Sequence, residues 1–377
     1  MSSITDPIFI PGLELSRRFY LELVNPILSS HFSGLLHTAA LIGNGSEVLG
    51  FDDLMSTDHH WGPRLQLLLR EDDYETHAAV LRKALSEDLP YDFMGYPTNF
   101  TPPNPEDNGT QMLQPIQSGR LNHRVDILTI EGFFTDYLDF DIHAPIEPSD
   151  WLTFPEQRLR AVTTGAIYRD DLNLEQVRSR FRYYPHDVWL YLLAAGWRRI
   201  EQEEHLMGRA GMVGDELGSA LIGARLVRDI MRLCFLMEKT YAPYAKWFGT
   251  AFQRLACAEE LWPHLQNALN AETWQQRESQ LIHAYEAIAK RHNALNLTPP
   301  LPEQTRLFFG RPIQVIAMHG FAQALLDQIH DPAVLRIAQR SLIGSLDQFS
   351  DNTDLLENPT WRPYIRHLYE GGIENEN

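Results

Sequence analysis

Only two cysteines, Cys234 and Cys257, stand in 377 residues. Both fall in half-apolar helical contexts and read as buried reduced thiols, so neither a disulfide framework nor zinc chemistry is supported. Long apolar runs are missing too, since none approaches the roughly 20 residues that a membrane helix needs. The opening MSSITDPIFIPGLEL lacks a basic start followed by a long apolar core, and no signal peptide is expected there. Positive charge is scarce: 32 Lys and Arg against 50 Asp and Glu give a formal net charge of −18. That balance disfavours long nucleic acid and anionic membranes as partners. It leaves room for free nucleotides, which arrive as magnesium chelates. A cytoplasmic location is expected.

A hydrophobic fraction of 44% and eight tryptophans predict a folded chain. Its length accommodates two or three domains. Residues 13–28 read as an amphipathic helix, with Leu13, Phe19, Tyr20, Leu23 and Ile27 near one face. Residues 36–42 and 65–69 are short apolar strand candidates, and 73–85 has helical spacing. Residues 96–109 hold prolines, asparagines and a glycine without periodicity and read as a loop. The β-rich RVDILTI at 124–130 carries Asp126 between apolar neighbours. Helical patterns then dominate: 151–163, 173–183, 187–205, 215–240, 244–255, 258–269 and 273–295. Asp150 and Asp215 are the expected N-caps. A turn-rich break, TPPLP at 298–302, precedes a strand-like 312–317 and further helices. The tail at 371–377 reads as frayed.

The densest chemistry lies between residues 36 and 69. An apolar strand ends in Gly45-Ser46, and Asp58 follows twelve residues after the serine, ahead of a second apolar strand. A glycine lets backbone N–H groups approach phosphate oxygens, and the neighbouring hydroxyl adds a donor. Carboxylates near such a turn suit magnesium, which prefers oxygen ligands. Alternation sets Asp126 on the face opposite Val125 and Ile127. A carboxylate there is either a solvated edge aspartate or a paired or metal-bound one. Arg64 follows closely and is a candidate phosphate clamp, with a surface salt bridge as the alternative.

These residues resemble the nucleotidyltransferase superfamily that includes polymerase beta and the aminoglycoside nucleotidyltransferases. More closely, GSEVLGFDDLMSTDHHWGPR, YYPHDVW, GRAGMVGDELGS and YAPYAKW resemble a bacterial family known as domain of unknown function 4037. The resemblance implies an α+β fold: a small mixed sheet with flanking helices, then a mainly helical C-terminal domain. The expected boundaries are 1–150 for the nucleotidyltransferase-like domain, 151–298 for a helical bundle and 299–377 for a helical segment packed on the rest.

By that resemblance Gly45 and Ser46 bind triphosphate, Asp58 matches the first metal aspartate and Asp126 the third. His60 stands where the second aspartate belongs, and imidazole suits manganese, zinc or nickel better than magnesium. Asp52 and Asp53 are alternative carboxylates, or else a solvated acidic turn. Asp58, His59 and His60 together suit one transition metal, which is the phosphohydrolase reading. In the helical half, glycines, Arg209 and Asp215 precede a long helix and form an anion-site candidate, for which a plain N-cap is the simpler account. Lys246, among Tyr244 and Trp247, is the second cation expected at phosphate.

The leading expectation is a magnesium- or manganese-dependent nucleotidyltransferase that moves a nucleoside monophosphate from a triphosphate to a small-molecule acceptor of unknown identity. Asp58 and Asp126 are then catalytic, with Asp58, His60 and Asp126 at the metal. Gly45, Ser46, Arg64 and Lys246 hold the nucleotide. The rival is a nucleotide- or metabolite-binding protein on the same scaffold, its chemistry lost at His60.

Overall fold

The computed structural model describes residues 9–107, 109–340 and 342–370. The chain forms two compact units, one of Met1–Pro145 with Arg158–Arg182, the other of Ile146–Gln157 with Tyr183–Asn377. The expected divisions at 150 and 298 therefore fall elsewhere. Residues 158–182 return to the first unit because they carry a strand that the sequence reading passed over. Residues 299–370 lie within the second. The tail at 371–377 is outside the described residues.

The first unit is built on a small mixed sheet. Its strands are β1 (Thr38–Leu41), β2 (Arg64–Leu69), β5 (Arg124–Thr129) and β6 (Ala166–Asp170), with β3 (Asp92–Phe93) and β4 (Tyr96–Pro97) forming a separate hairpin. The strand order is β5-β2-β1-β6. β1 runs antiparallel to β2 and β6, while β2 and β5 are parallel, with Gln66 opposite Asp126. Alternation along β2 and β5 separates two faces. Leu65, Leu67, Leu69, Val125 and Ile127 join one core with Leu15, Phe19, Leu81 and Leu85, contributed by the helices Gly12–Phe19 and Glu71–Asp88. The other face carries Arg64, Gln66, Arg124 and Asp126. Near the N-terminus the helical run continues through a π-turn at Tyr20–Val24. Its buried stripe is Leu15, Phe19, Tyr20, Val24 and Leu28; Phe19 and Tyr20 are placed as expected, while Leu13, Leu23 and Ile27 are only partly buried.

The second unit is mainly helical, as expected. Its centre is the pair His186–Met212 and Glu216–Met237, joined by Ala258–Asn270 and Trp274–Ala294. Two glycines of the 207–218 stretch, Gly208 and Gly211, serve close packing. A side chain at Gly211 would meet Trp274 at 2.1 Å, and one at Gly208 would meet Ile313 at 3.1 Å. Asp215 is a plain N-cap, its Oδ1 accepting from Gly218 N–H at 2.7 Å. The anion-site candidate there thus resolves into packing and capping. Asp150 differs from expectation: it lies inside the helix Pro148–Thr153 as the capping-box partner of Glu147. Cys234 and Cys257 are free and buried. Among the described residues no helix is long and apolar enough to cross a membrane.

The strands β7 (Arg306–Leu307) and β8 (Gln314–Val315) pair as a small hairpin. The chain just beyond β8 is fixed by Glu204, whose Oε2 accepts from Ile316 N–H at 2.7 Å and Ala317 N–H at 3.2 Å. Glu204 is buried, and burial pushes its carboxyl up to about 7, against the two backbone bonds that favour the anion. The fold therefore keeps a proton that the unfolded chain releases near pH 4.5, so this group's contribution to stability falls as pH rises from about 4.5 to about 7. Glu204→Gln removes the dependence. The stability of the variant relative to the parent, measured by urea unfolding, should grow by about 3 kcal/mol across that window. A constant difference would contradict the assignment.

Candidate anion site on the sheet face

β1 leads into a turn, residues 43–46, that only glycines can make at two points. Gly43 has φ 81° and Gly45 φ 142°. The chain then coils once, with Leu49 N–H bonded to Gly45 O at 3.4 Å and Phe51 N–H to Ser46 O at 2.9 Å. Gly43 N–H donates to Ala161 O at 3.0 Å. The next backbone N–H groups, those of residues 44–48, have no protein acceptor among the described residues, nor has the Ser46 hydroxyl a partner there. Glu47 and Val48 are buried residues. A run of such donors without acceptors is costly unless a ligand or water supplies oxygen. Successive N–H groups around one turn form a nest suited to an anion.

Beneath the turn lies a buried ion pair. Arg64 Nε and Nη2 donate to Glu47 Oε1 at 2.8 and 2.6 Å, and Nη2 also reaches Asn44 O at 2.6 Å. Their side chains are only 6% and 3% exposed. Gly45 is obligatory here for space as well as for φ, because an added Cβ would fall 2.3 Å from Arg64 Nη2. Gln66 braces the end of β1, donating to Ile42 O at 2.9 Å and accepting from Ile42 N–H at 3.0 Å. On the outer side, Tyr137 O–H donates to Asn44 Oδ1 at 3.0 Å, and its ring stacks on Phe133.

Arg124 and Asp126 complete this face. Arg124 Nη1 donates to Gln111 Oε1 at 2.7 Å and to His60 Nδ1 at 3.2 Å. Burial lowers the His60 pKa, and the Arg124 and Arg64 charges lower it further, so the ring is a neutral acceptor. Asp126 is half-buried and makes no hydrogen bond or ion pair among the described residues.

The expected metal ligands are not brought together. Asp58 ends the 3-10 helix Leu54–Asp58, is exposed, and pairs with His59 Nδ1 at 2.7 Å. That helix is started by an Asp53–Ser56 capping box, and Gly62, at φ 138°, and Pro63 intervene before β2 begins. Asp58 is thereby left exposed at the end of that helix, whereas the His60 ring reaches the Arg124 guanidinium on the sheet face. The three β2 positions that share a face with Asp126 hold Arg64, Gln66 and Leu68, and none is a carboxylate. Among the described residues no group of three or more His, Cys, Asp or Glu has a geometry to hold a metal ion. A resident magnesium does not fit this donor set: Glu47 is committed to Arg64, and Asp126 beside an amide and two guanidinium groups lacks the oxygens it needs.

The other candidates also find structural places. Asp52 Oδ2 accepts from Gly12 N–H at 2.7 Å and Trp61 Nε1–H at 3.3 Å. Arg64 is a buried strut and no phosphate clamp. Lys246 is exposed, starts the helix Ala245–Phe252 of the second unit, and lies 4.9 Å from the Trp247 ring. Sequence reasoning missed Glu47, Gln66 and Arg124. The signal was the alternation in RLQLLL, which puts Arg64 and Gln66 on one side of β2 once the strand starts at Arg64.

Removing the Glu47 carboxylate strands a buried guanidinium. Glu47→Ala should cost about 3–5 kcal/mol of folding stability, read as a lower midpoint in denaturant unfolding. A loss within the range of ordinary surface changes would show that Arg64 does not depend on Glu47.

Residues 151–248 match the family model described as domain of unknown function (DUF4037). That span covers β6 and the first helices of the second unit, and lies outside the turn and the β2–β5 face. No curated protein matches the chain. Among solved structures, a nucleotidyltransferase-like protein from Exiguobacterium sibiricum is 13% identical, with 74% of this chain and 75% of that chain covered at a TM-score of 0.31. At that score the likeness carries no structural argument. Over residues 151–248 this chain is similar to the DUF4037 family.

Proposed function

We propose that the first unit binds the phosphate chain of a nucleoside triphosphate on the nest at residues 44–48 without transferring it. The observation that carries this reading is the row of N–H groups there with no protein acceptor, beside the partnerless Ser46 hydroxyl. The charge of Arg64 is spent on Glu47, and Arg124 is the cation left on that sheet face, where a metal-dependent transferase would need carboxylates. Magnesium or manganese then belongs to the incoming nucleotide rather than to the protein. The buried reduced thiols support a cytoplasmic setting.

A second reading keeps the transferase. It is favoured by Asp126, a half-buried carboxylate beside Arg124 that makes no hydrogen bond among the described residues and has the chemistry to take a proton from an acceptor hydroxyl. A small acceptor fits this reading better than long nucleic acid, given the net charge of −18.

Calorimetric titration with ATP, GTP, CTP and UTP, each with magnesium, with manganese and with chelator, separates the two. Binding that persists in chelator and weakens about tenfold in Ser46→Ala supports the first reading. Binding confined to the metal-containing samples, with pyrophosphate released, would replace it with transfer. No binding at all would remove both.

A further inference from the structure

We propose that the free edge of β5 docks an acidic peptide segment of a partner protein, which adds to the sheet as a further strand. This goes beyond the nucleotide reading and does not depend on it.

β5 is the last strand on its side of the sheet, so one row of its backbone groups faces away from β2. Apart from Val125 N–H, which donates to His123 Nδ1 at 3.2 Å, no loop or side chain bonds the backbone of residues 125–128 among the described residues. A groove of about 790 Å3 runs along this edge, between residues 120–128 and the outer side of the helix Glu71–Asp88. It is braced at the end beside the start of β5. Leu121 N–H donates to Ser86 O at 2.9 Å, and His123 Nε2 lies 3.1 Å from Arg82 O.

Charge selects the occupant. In a chain of net charge −18, this groove is lined by Arg82, Lys83, Arg120 and Arg124 against one carboxylate, Asp126. Arg82 and Lys83 have no ion pair among the described residues, and Arg124 donates only to neutral acceptors. Arg120 alone is paired, with Glu87 at 2.8 Å. Along an added strand successive side chains point to opposite faces. Val125 and Ile127 face the helix-covered core, so one row of peptide side chains would approach Arg82 and Lys83. The alternate row would lie on the face of Arg124 and Asp126, whose charges offset each other, so the acidic match rests on the row that meets Arg82 and Lys83. Acidic residues at alternate positions are therefore matched, with β5 itself offering length for about six residues. Main-chain bonds supply affinity in this mode, and the flanking side chains supply selectivity. A linear row of backbone groups with cations beside it suits an extended chain better than a compact anion.

The test is fluorescence anisotropy with a labelled peptide of alternating glutamate and valine, about eight residues long, on the full chain. Binding is expected, falling about tenfold in the variant Arg82→Glu with Lys83→Glu, both exposed positions. It should also be lost when alternate peptide amides are N-methylated, and be accompanied by slowed hydrogen exchange at residues 125–128. Equal binding of a lysine–valine peptide, or binding unchanged by the charge reversals, would overturn the proposal. Tripolyphosphate bound through Arg82 and Lys83, with no peptide binding, would equally overturn it and make the groove a small-anion site.

Discussion

Arg64 is charged, buried and held by one carboxylate, and the geometry of the candidate site follows from that pairing. A guanidinium at the start of β2 must be neutralised, and Glu47 reaches it only if the chain after β1 turns back sharply. The turn requires glycines at 43 and 45, whose φ values and tight contacts exclude other residues. Once Glu47 is pinned to Arg64, the coil from Gly45 onward begins with its N–H groups unspent. Structural electrostatics thereby create a donor-rich turn. The arginine that stabilises it is buried too deeply to be the ligand's own clamp.

Charge placement gives the first unit its character. The chain is strongly acidic overall, yet the β2–β5 face and the β5 edge gather arginines. Such a local reversal concentrates anionic ligands at the surface that carries it. In the second unit the reverse holds: acids such as Glu204 and Glu156 are buried, and burial pushes both up to about 7. Their backbone bonds fasten distant segments, Glu204 through residues 316 and 317 and Glu156 through Ala242.

Much of this architecture was legible in the sequence. The long helices announce themselves by apolar periodicity and by caps such as Asp215, and the α+β class follows from short apolar runs placed before them. β6 was not legible, because AIYRD is short, half-polar and flanked by helical patterns, and it becomes a strand only by pairing with β1. The Gly-Ser turn was visible as a phosphate-type loop. Spacing counts residues along the chain, whereas the Asp53 cap winds residues 54–58 into a 3-10 helix that leaves Asp58 exposed and paired with His59. Lys246 was grouped with the turn on residue type alone, and it lies in the other unit.

The central claim is that the amides of residues 44–48 are the anion donors of this fold. Amide-resolved NMR of the chain during titration with ATP and chelator tests it most directly. The account predicts large, saturating shifts at the amides of residues 44–48, with little change along residues 125–128. Shifts confined to residues 125–128, or none at the turn at saturating nucleotide, would contradict it.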